Sequence, residues 1–249
     1  MRYALITGAS SGIGREFAIQ LAGSYKLILV ARREERLIEL KNSLNTECIL
    51  FTLDLSIEEN CFKLFEAIKD LDIEIVINNA GFGDCGYFLD NDLNKEIDMI
   101  NLNIKALHIL TKLMINKLNG EGYILNVASS AGLLPAGPYM STYYASKGYV
   151  TSLTRGIAKE LKENHNSTYI GCLCPGPVDT EFNNVANVKF ALKGITATQC
   201  VSYALRKMKK RKVVIIPGMQ MKFAIILGRF IPQTLLITIT KNQQKKKLS

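Results

Sequence analysis

The chain has 249 residues, 48% of them hydrophobic and 21% charged, with a formal net charge of +9. That size and mix gives ample material for a buried core and excludes a disordered chain or a fibre. Apolar residues never run to the roughly 18 that a membrane-spanning helix needs, and the N-terminus opens on an apolar strand pattern with no charged leader. The expectation is a cytoplasmic chain, neither exported nor anchored by a helix.

Along the chain, short apolar runs alternate with longer stretches of helical period. A strand over 3–6 is followed by a helix around 13–22, a strand over 27–30 by a helix around 34–43, and a strand over 48–53 by a helix around 57–70. A strand over 74–77 then leads to a long helix around 94–117, a strand over 123–127 to a helix around 143–163, and a strand over 169–174 to a helix around 197–210. The last strand covers 213–216. Most strands are continuous apolar runs, as expected where helices cover both sides of a sheet. The pattern predicts an α/β fold of Rossmann type, a doubly wound, mainly parallel seven-stranded sheet with helices on both faces, in a single domain over 1–249. Gly, Pro, Ser and Asn cluster at 8–14, 78–86, 129–142 and 175–187. Those are the loops at strand C-termini, where open parallel sheets bind ligands.

The six cysteines, at 48, 61, 85, 172, 174 and 200, form no C-x-x-C pair, and the histidines are His108 and His165. Nothing reads as a metal site or a disulfide frame, which points to a reducing setting. Charge is unevenly spread. Residues 1–181 hold 17 Lys and Arg against 22 Asp and Glu, whereas residues 182–249 hold 14 Lys and Arg and no acid. That distribution argues against a uniform basic face for nucleic acid and concentrates the excess in the C-terminal quarter.

The first strand runs into Thr7-Gly8-Ala9-Ser10-Ser11-Gly12-Ile13-Gly14 and then a helix. In that context Gly8 permits a tight turn, Gly12 lets the backbone approach a pyrophosphate, and Gly14 lets helix and strand pack closely, with the helix N-terminus facing the anion. At the end of the second strand, Ala31 stands where an acid that binds a ribose 2′-hydroxyl would sit, and Arg32 and Arg33 follow. Two guanidinium groups there fit a 2′-phosphate, and so NADP(H). The competing reading pairs Arg32 and Arg33 with Glu34 and Glu35 at a solvated helix start.

Farther along, Thr142-Tyr143-Tyr144-Ala145-Ser146-Lys147 opens a helix, and the four-residue step puts Tyr143 and Lys147 on one face. A nearby ammonium favours the phenolate and is expected to lower the tyrosine pKa from its usual value of about 10. Tyr144, three residues from Lys147, competes on geometry alone. The fifth strand ends in Ser129 and Ser130, at the same rim of the sheet, where a hydroxyl can bond a substrate oxygen. Neither lies in a G-x-S-x-G elbow.

With these motifs the chain resembles the short-chain dehydrogenase/reductase family from Thr7 to about Gly218. The resemblance is carried by the Thr-Gly-x3-Gly-x-Gly loop, by Asn78-Asn79-Ala80-Gly81, by a serine with Tyr-x3-Lys, and by Cys174-Pro175-Gly176-Pro177-Val178-Asp179-Thr180. It implies that Tyr143 is the general acid/base, that Lys147 holds the nicotinamide ribose and lowers the tyrosine pKa, and that a serine polarises the carbonyl. The Ser-x-x-Gly pattern selects Ser129, and the thirteen-residue step back from the tyrosine selects Ser130; Ser129 is preferred. The family asparagine that holds a water of the proton relay matches Asn103 better than Asn101. Cofactor contacts implied by the same matching are Ser10, Ser11 and Ile13 in the glycine loop, Asp54 at the adenine with Leu55 beside it, and Asn79, Ala80 and Gly81. Pro175 and Gly176 follow, with Val178 and Thr180 at the carboxamide. Asp54 has a competing reading as a cap for the helix around 57–70.

The family likeness also implies a substrate flap over 181–196 and a homodimer or homotetramer. Phe182, Val185, Val188, Phe190 and Leu192, with Phe82, Tyr87, Leu133, Leu134 and Tyr139, suggest an apolar small-molecule carbonyl or alcohol. The extension 219–249 departs from the family core. Its apolar stretches, broken by Pro232 and joined to Lys222, Arg229, Lys241 and Lys245-Lys246-Lys247, suit either a cover for the cleft or a subunit interface, or a peripheral contact with an anionic membrane. The leading expectation is an NADP(H)-dependent carbonyl reductase. A reductase of lipid-like or 3-ketoacyl substrates and a non-catalytic NADP sensor are the alternatives.

Overall fold

A computed structural model describes residues 1–181 and 194–245. Its elements, in chain order, are β1 (Tyr3–Thr7), α1 (Gly12–Leu21), β2 (Lys26–Ala31), α2 (Glu34–Ser43), β3 (Cys48–Thr52), α3 (Glu58–Ile68) and β4 (Ile73–Asn78). There follow α4 (Leu93–Ile100), α5 (Leu107–Leu118), β5 (Tyr123–Val127), α6 (Ser141–Glu163), β6 (Tyr169–Leu173) and β7 (Val178–Asp179). The chain continues through β8 (Ile195–Thr196), α7 (Ala197–Lys209), β9 (Val214–Ile215), α8 (Met219–Gly228) and α9 (Gln233–Lys245).

Seven strands form one sheet in the order β3-β2-β1-β4-β5-β6-β9, and each neighbouring pair is parallel. This is the Rossmann arrangement the alternating pattern predicts. Burial on both faces explains the unbroken apolar strands: on β1 and β2, Ala4, Ile6, Leu27 and Leu29 face one core, while Leu5, Ile28 and Val30 face the other. Strand order reverses between β1 and β4, and the crevice beyond their C-terminal ends is the expected ligand position.

Three features are absent from the sequence reading. Asn101–Ala106 is a π-helical segment joining α4 to α5, so the predicted long helix holds a wider turn in its middle. Val178–Asp179 pairs with Ile195–Thr196 as a short separate ladder. The C-terminal extension, read as two short apolar segments around Pro232, folds into α8 and α9.

Candidate active site

The nucleotide side of the cleft is built where β1 meets α1. Gly8 and Gly12 have φ of +66° and +54°. A Cβ on Gly14 would lie 2.2 Å from the Gly8 carbonyl oxygen, so only glycine lets α1 pack against the turn at this point. Ser11 precedes the first turn of α1 without a side-chain cap, which leaves the unpaired N–H groups of that turn for another acceptor. From β4, Asn79 fixes the loop: its backbone N–H donates to Thr7 Oγ1 at 2.9 Å, and its side chain donates to Thr7 O at 2.9 Å.

Arg32 and Arg33 both line this cleft. Arg33 donates to Ser10 Oγ at 3.2 Å and pairs with Glu181 at 3.3 Å, and Arg32 lies 3.5 Å from Asp54. Among the described residues their ion pairs run to these groups, not to Glu34 or Glu35. Asp54 caps no helix, since α3 starts at Glu58 behind Ile57. One of its oxygens accepts from Ser56 N at 2.9 Å and Ser56 Oγ at 2.7 Å. Although burial opposes it, these bonds and Arg32 hold the carboxyl below its usual range.

On the opposite wall, Ser129 starts the 3-10 turn Ser130–Leu133 and accepts from Ala131 N at 3.1 Å. A Cβ on Gly132 would lie 2.2 Å from Lys147 O, so glycine lets this turn press against α6. That close approach is the physical content of the Ser-x-x-Gly spacing. It brings Ser129 into a hydrogen bond with the Tyr143 side chain, whereas the recorded bond of Ser130 is from its backbone N–H to Pro175 O at 2.8 Å.

The electrostatics differ from the sequence expectation. Burial pushes Tyr143 up to about 12, against the opposing Ser129 hydrogen bond, and burial brings Lys147 down to about 8, with Cys174 opposing. The Lys147 ammonium donates to Val127 O at 3.1 Å and lies 5.8 Å from the Tyr143 ring centroid. The desolvation of both groups outweighs the attraction that the four-residue step suggests.

Asn103 sits in the π-helical segment and is fully buried. Its amide donates to Phe82 O at 2.8 Å and to Ser146 Oγ at 3.1 Å, and its oxygen accepts from Phe82 N at 3.0 Å. The side chain is thus occupied in clamping the loop after β4 to α6. Gly81 fits against it, since a Cβ there would lie 2.7 Å from Asn103 Oδ1.

Most of the remaining predicted residues line the same cleft. Gly8, Ser10, Ser11, Gly12, Ile13, Leu55, Asn79, Ala80 and Gly81 line the cleft, with Pro175, Gly176, Val178 and Thr180. Gly14 supports it from behind. Of the residues read as substrate-facing, Phe82 and Leu134 line the cleft. Tyr139 and Leu133 pack in neighbouring clusters, and Tyr87 is exposed. Phe182, Val185, Val188, Phe190, Leu192, Lys246 and Lys247 lie outside the described residues, as does most of the 181–196 segment.

The C-terminal extension roofs the cleft. The cleft, of about 870 Å³, is bounded by Met140 and Tyr144 below and by Met221, Ile225, Leu236, Ile239 and Gln244 from α8 and α9 above. This favours the cleft-covering reading of the extension. Tyr144 accepts from Gln244 Nε2, so its hydroxyl is engaged away from Ser129. Among the described residues there is no group of three or more His, Cys, Asp or Glu that could hold a metal, and no helix is long and apolar enough to cross a membrane.

Comparison with known proteins identifies relatives of this arrangement. The short chain dehydrogenase family profile matches residues 2–191. The very-long-chain 3-oxoacyl-CoA reductase of Candida albicans is 33% identical over 183 residues, which cover 66% of this chain and 52% of the relative. The chain spans about half the length of the curated relatives it matches first. Among solved structures, a short-chain dehydrogenase from Sphingobium yanoikuyae in complex with NADPH has a TM-score of 0.82 at 28% identity, covering 94% of this chain and 95% of that one. The bulky-bulky ketone specific alcohol dehydrogenase from Comamonas testosteroni has a TM-score of 0.77 at 25% identity, covering 92% of each chain.

Proposed function

The chain belongs to the short chain dehydrogenase family of oxidoreductases, and on that premise we propose that it is an NADP(H)-dependent reductase of long, apolar carbonyl substrates such as 3-oxoacyl thioesters. The observation that carries the reading is Tyr143, hydrogen-bonded to Ser129 at the floor of a cleft whose far half is walled by apolar side chains. Support for the substrate class comes from that wall and from the names of the relatives, a very-long-chain 3-oxoacyl-CoA reductase and a bulky-ketone alcohol dehydrogenase.

The nucleotide half fits a phosphorylated dinucleotide. The turn at Gly8 and Gly12, the uncapped start of α1, and the guanidinium groups of Arg32 and Arg33 supply anion contacts at both of its phosphate positions. Asn79, Gly81, Val178 and Thr180 would border the nicotinamide end, and Lys147 would hold the adjoining ribose. A nicotinamide held there would supply the hydride for the substrate carbonyl carbon. Ser129 donates a hydrogen bond to the carbonyl oxygen and holds it beside Tyr143. Tyr143, kept neutral by burial, gives its proton to that oxygen as negative charge develops there. Asn103 acts as a positioning residue, through Phe82 and Ser146. The test is oxidation of NADPH and NADH by the purified chain with ketones, aldehydes, quinones and 3-oxoacyl thioesters of increasing length. Turnover is expected to favour NADPH and the longer thioesters.

Because burial lowers Lys147 to about 8, the charged form that binds the ribose and favours proton transfer is present below that pH and lost above it. The kcat/KM for reduction is therefore expected to be level near neutrality and to fall about tenfold per pH unit above about 8. A profile that stays level to about pH 10 would contradict the role given to Lys147.

The outer side of α8 supports a second element of this reading, contact with an anionic bilayer. While Met221 and Ile225 line the cleft, Met219, Phe223 and Ile226 of α8, and Phe230 in the turn after it, are turned to solvent, with Met219 90% and Phe230 82% exposed. Apolar side chains on both the cleft side and the outer side of one helix call for cover on both. Lys222, Arg229 and Lys241 accompany it, and residues 194–245 contain no acid. The protein is expected to float with phosphatidylserine vesicles and not with phosphatidylcholine vesicles. Replacing Phe223 and Phe230 by serine should weaken the binding at least about tenfold. Unchanged flotation of that variant, or a stripe buried instead in a dimer detected by sedimentation, would contradict the membrane contact.

A further inference from the structure

Helix α9 places a polar group where the cleft is otherwise apolar. Leu236, Ile239, Thr240, Gln243 and Gln244 line the cleft from one side of the helix, and of these Gln243 is exposed while Thr240 and Gln244 are buried. The Thr240 hydroxyl is spent inside the helix, donating to Leu236 O at 2.9 Å. Gln244 is not spent. It is 3% exposed, its Nε2 meets the Tyr144 hydroxyl, and its Oε1 has no hydrogen-bond partner among the described residues.

A buried amide atom that has lost water and gained no partner is unfavourable, and such atoms are rare away from binding sites. The position of this one is informative. Tyr144, which meets the Gln244 amide, packs edge-on against Tyr143 with ring centroids 6.4 Å apart. Turning the terminal amide by half a rotation exchanges its oxygen and nitrogen in the same space. The Tyr144 hydroxyl, kept protonated by burial, then donates to Oε1, and Nε2 is left as the free donor of a side chain that lines the cleft.

We propose that Gln244, oriented by Tyr144, forms a second polar subsite that donates a hydrogen bond to a second oxygen of the substrate in the same cleft. The subsite rests on the reductase reading and narrows its substrate. A 3-oxoacyl thioester carries such an oxygen, separated from the reacting carbonyl by one methylene, and a simple ketone of the same length does not. A site built to hydrogen-bond a substrate group discriminates against the analogue that lacks it, because its own polar atom is then left unpaired.

Calorimetric titration of the full chain saturated with NADP+ tests this with product-side ligands. One is a 3-hydroxyacyl pantetheine thioester and the other a secondary alcohol of matched length. The unmodified chain is expected to bind the thioester at least about tenfold more tightly. Gln244→Met, which keeps the side-chain length, should bring the ratio to about one while the alcohol Kd stays within about twofold. Tyr144→Phe, which removes the anchor of the amide, should lower the ratio part of the way. A ratio unchanged in Gln244→Met, or a ratio near one in the unmodified chain, overturns the subsite. Turnover is read separately: discrimination in binding without reduction of either ketone would retain the subsite and overturn the reductase reading.

Discussion

Tyr143→Phe is expected to lower kcat by about 10²–10⁴-fold, the span that positioned general acid–base groups contribute, while NADPH affinity stays within about twofold. The reason is local. The change deletes one hydroxyl and keeps the ring that packs against Tyr144 and lies under Lys147. The hydroxyl lost is the one hydrogen-bonded to Ser129, so the cost to folding is about 1 kcal/mol and the variant remains folded. Tyr144 cannot take over, because its hydroxyl is engaged with Gln244 on the far side of the ring pair. Tyr144→Phe should therefore leave the reduction of a simple ketone within a few fold, whereas Tyr143→Phe removes reduction of every carbonyl. Single-turnover NADPH oxidation with both variants checks this. Equal losses in the two, or activity retained in Tyr143→Phe, would reassign the proton donor.

The second large effect concerns the choice of cofactor. Changing Arg32 and Arg33 together to alanine is expected to reduce kcat/KM for NADPH by about 10–100-fold and to leave kcat/KM for NADH within about threefold. Charge-assisted hydrogen bonds to a phosphate are worth about 1.5–3 kcal/mol, but both side chains are part-exposed, so screening places the pair toward the lower end. Arg33 is the stronger contributor, because Ser10 and Glu181 hold its guanidinium at the glycine loop. The loss should shrink as salt is raised, since screening already weakens the contact in the unmodified chain. Steady-state kinetics with both nucleotides decides it. A loss of the same size for NADH would show that the arginines serve the fold of the loop and not the 2′-phosphate.

Much of the scaffold was legible in the sequence. Strands β1 to β6 read clearly because they are buried on both faces, which leaves continuous apolar runs between turn residues. The glycine loop and Tyr143 with Lys147 read clearly because their geometry is local, a turn and one helical step. Gly132 pointed to Ser129, the serine that hydrogen-bonds Tyr143, although the contact of Gly132 with Lys147 O exists only in three dimensions.

What was hidden depends on contacts far apart in the chain. Glu181 meets Arg33 across 148 residues, and Gln244 meets Tyr144 across 100. No spacing rule links such pairs. Helix α8 is apolar around its circumference, so its sequence has no period to tell the cleft-facing side from the exposed one. The direction of the Tyr143 shift was misjudged for a related reason: the four-residue step to Lys147 is visible in sequence, but the burial that lifts one group and lowers the other is not.

The central claim is reduction of a carbonyl by hydride transfer in the cleft between Tyr143 and the glycine loop. Its most direct measurement is mass spectrometry of the product formed from a long-chain 3-oxoacyl thioester with NADPH carrying deuterium at both positions of nicotinamide C4. The account predicts a 3-hydroxyacyl product with one deuterium on the carbinol carbon, formed by the unmodified chain and not by Tyr143→Phe. A product without deuterium at that carbon, or the same labelled product from both proteins, would contradict it.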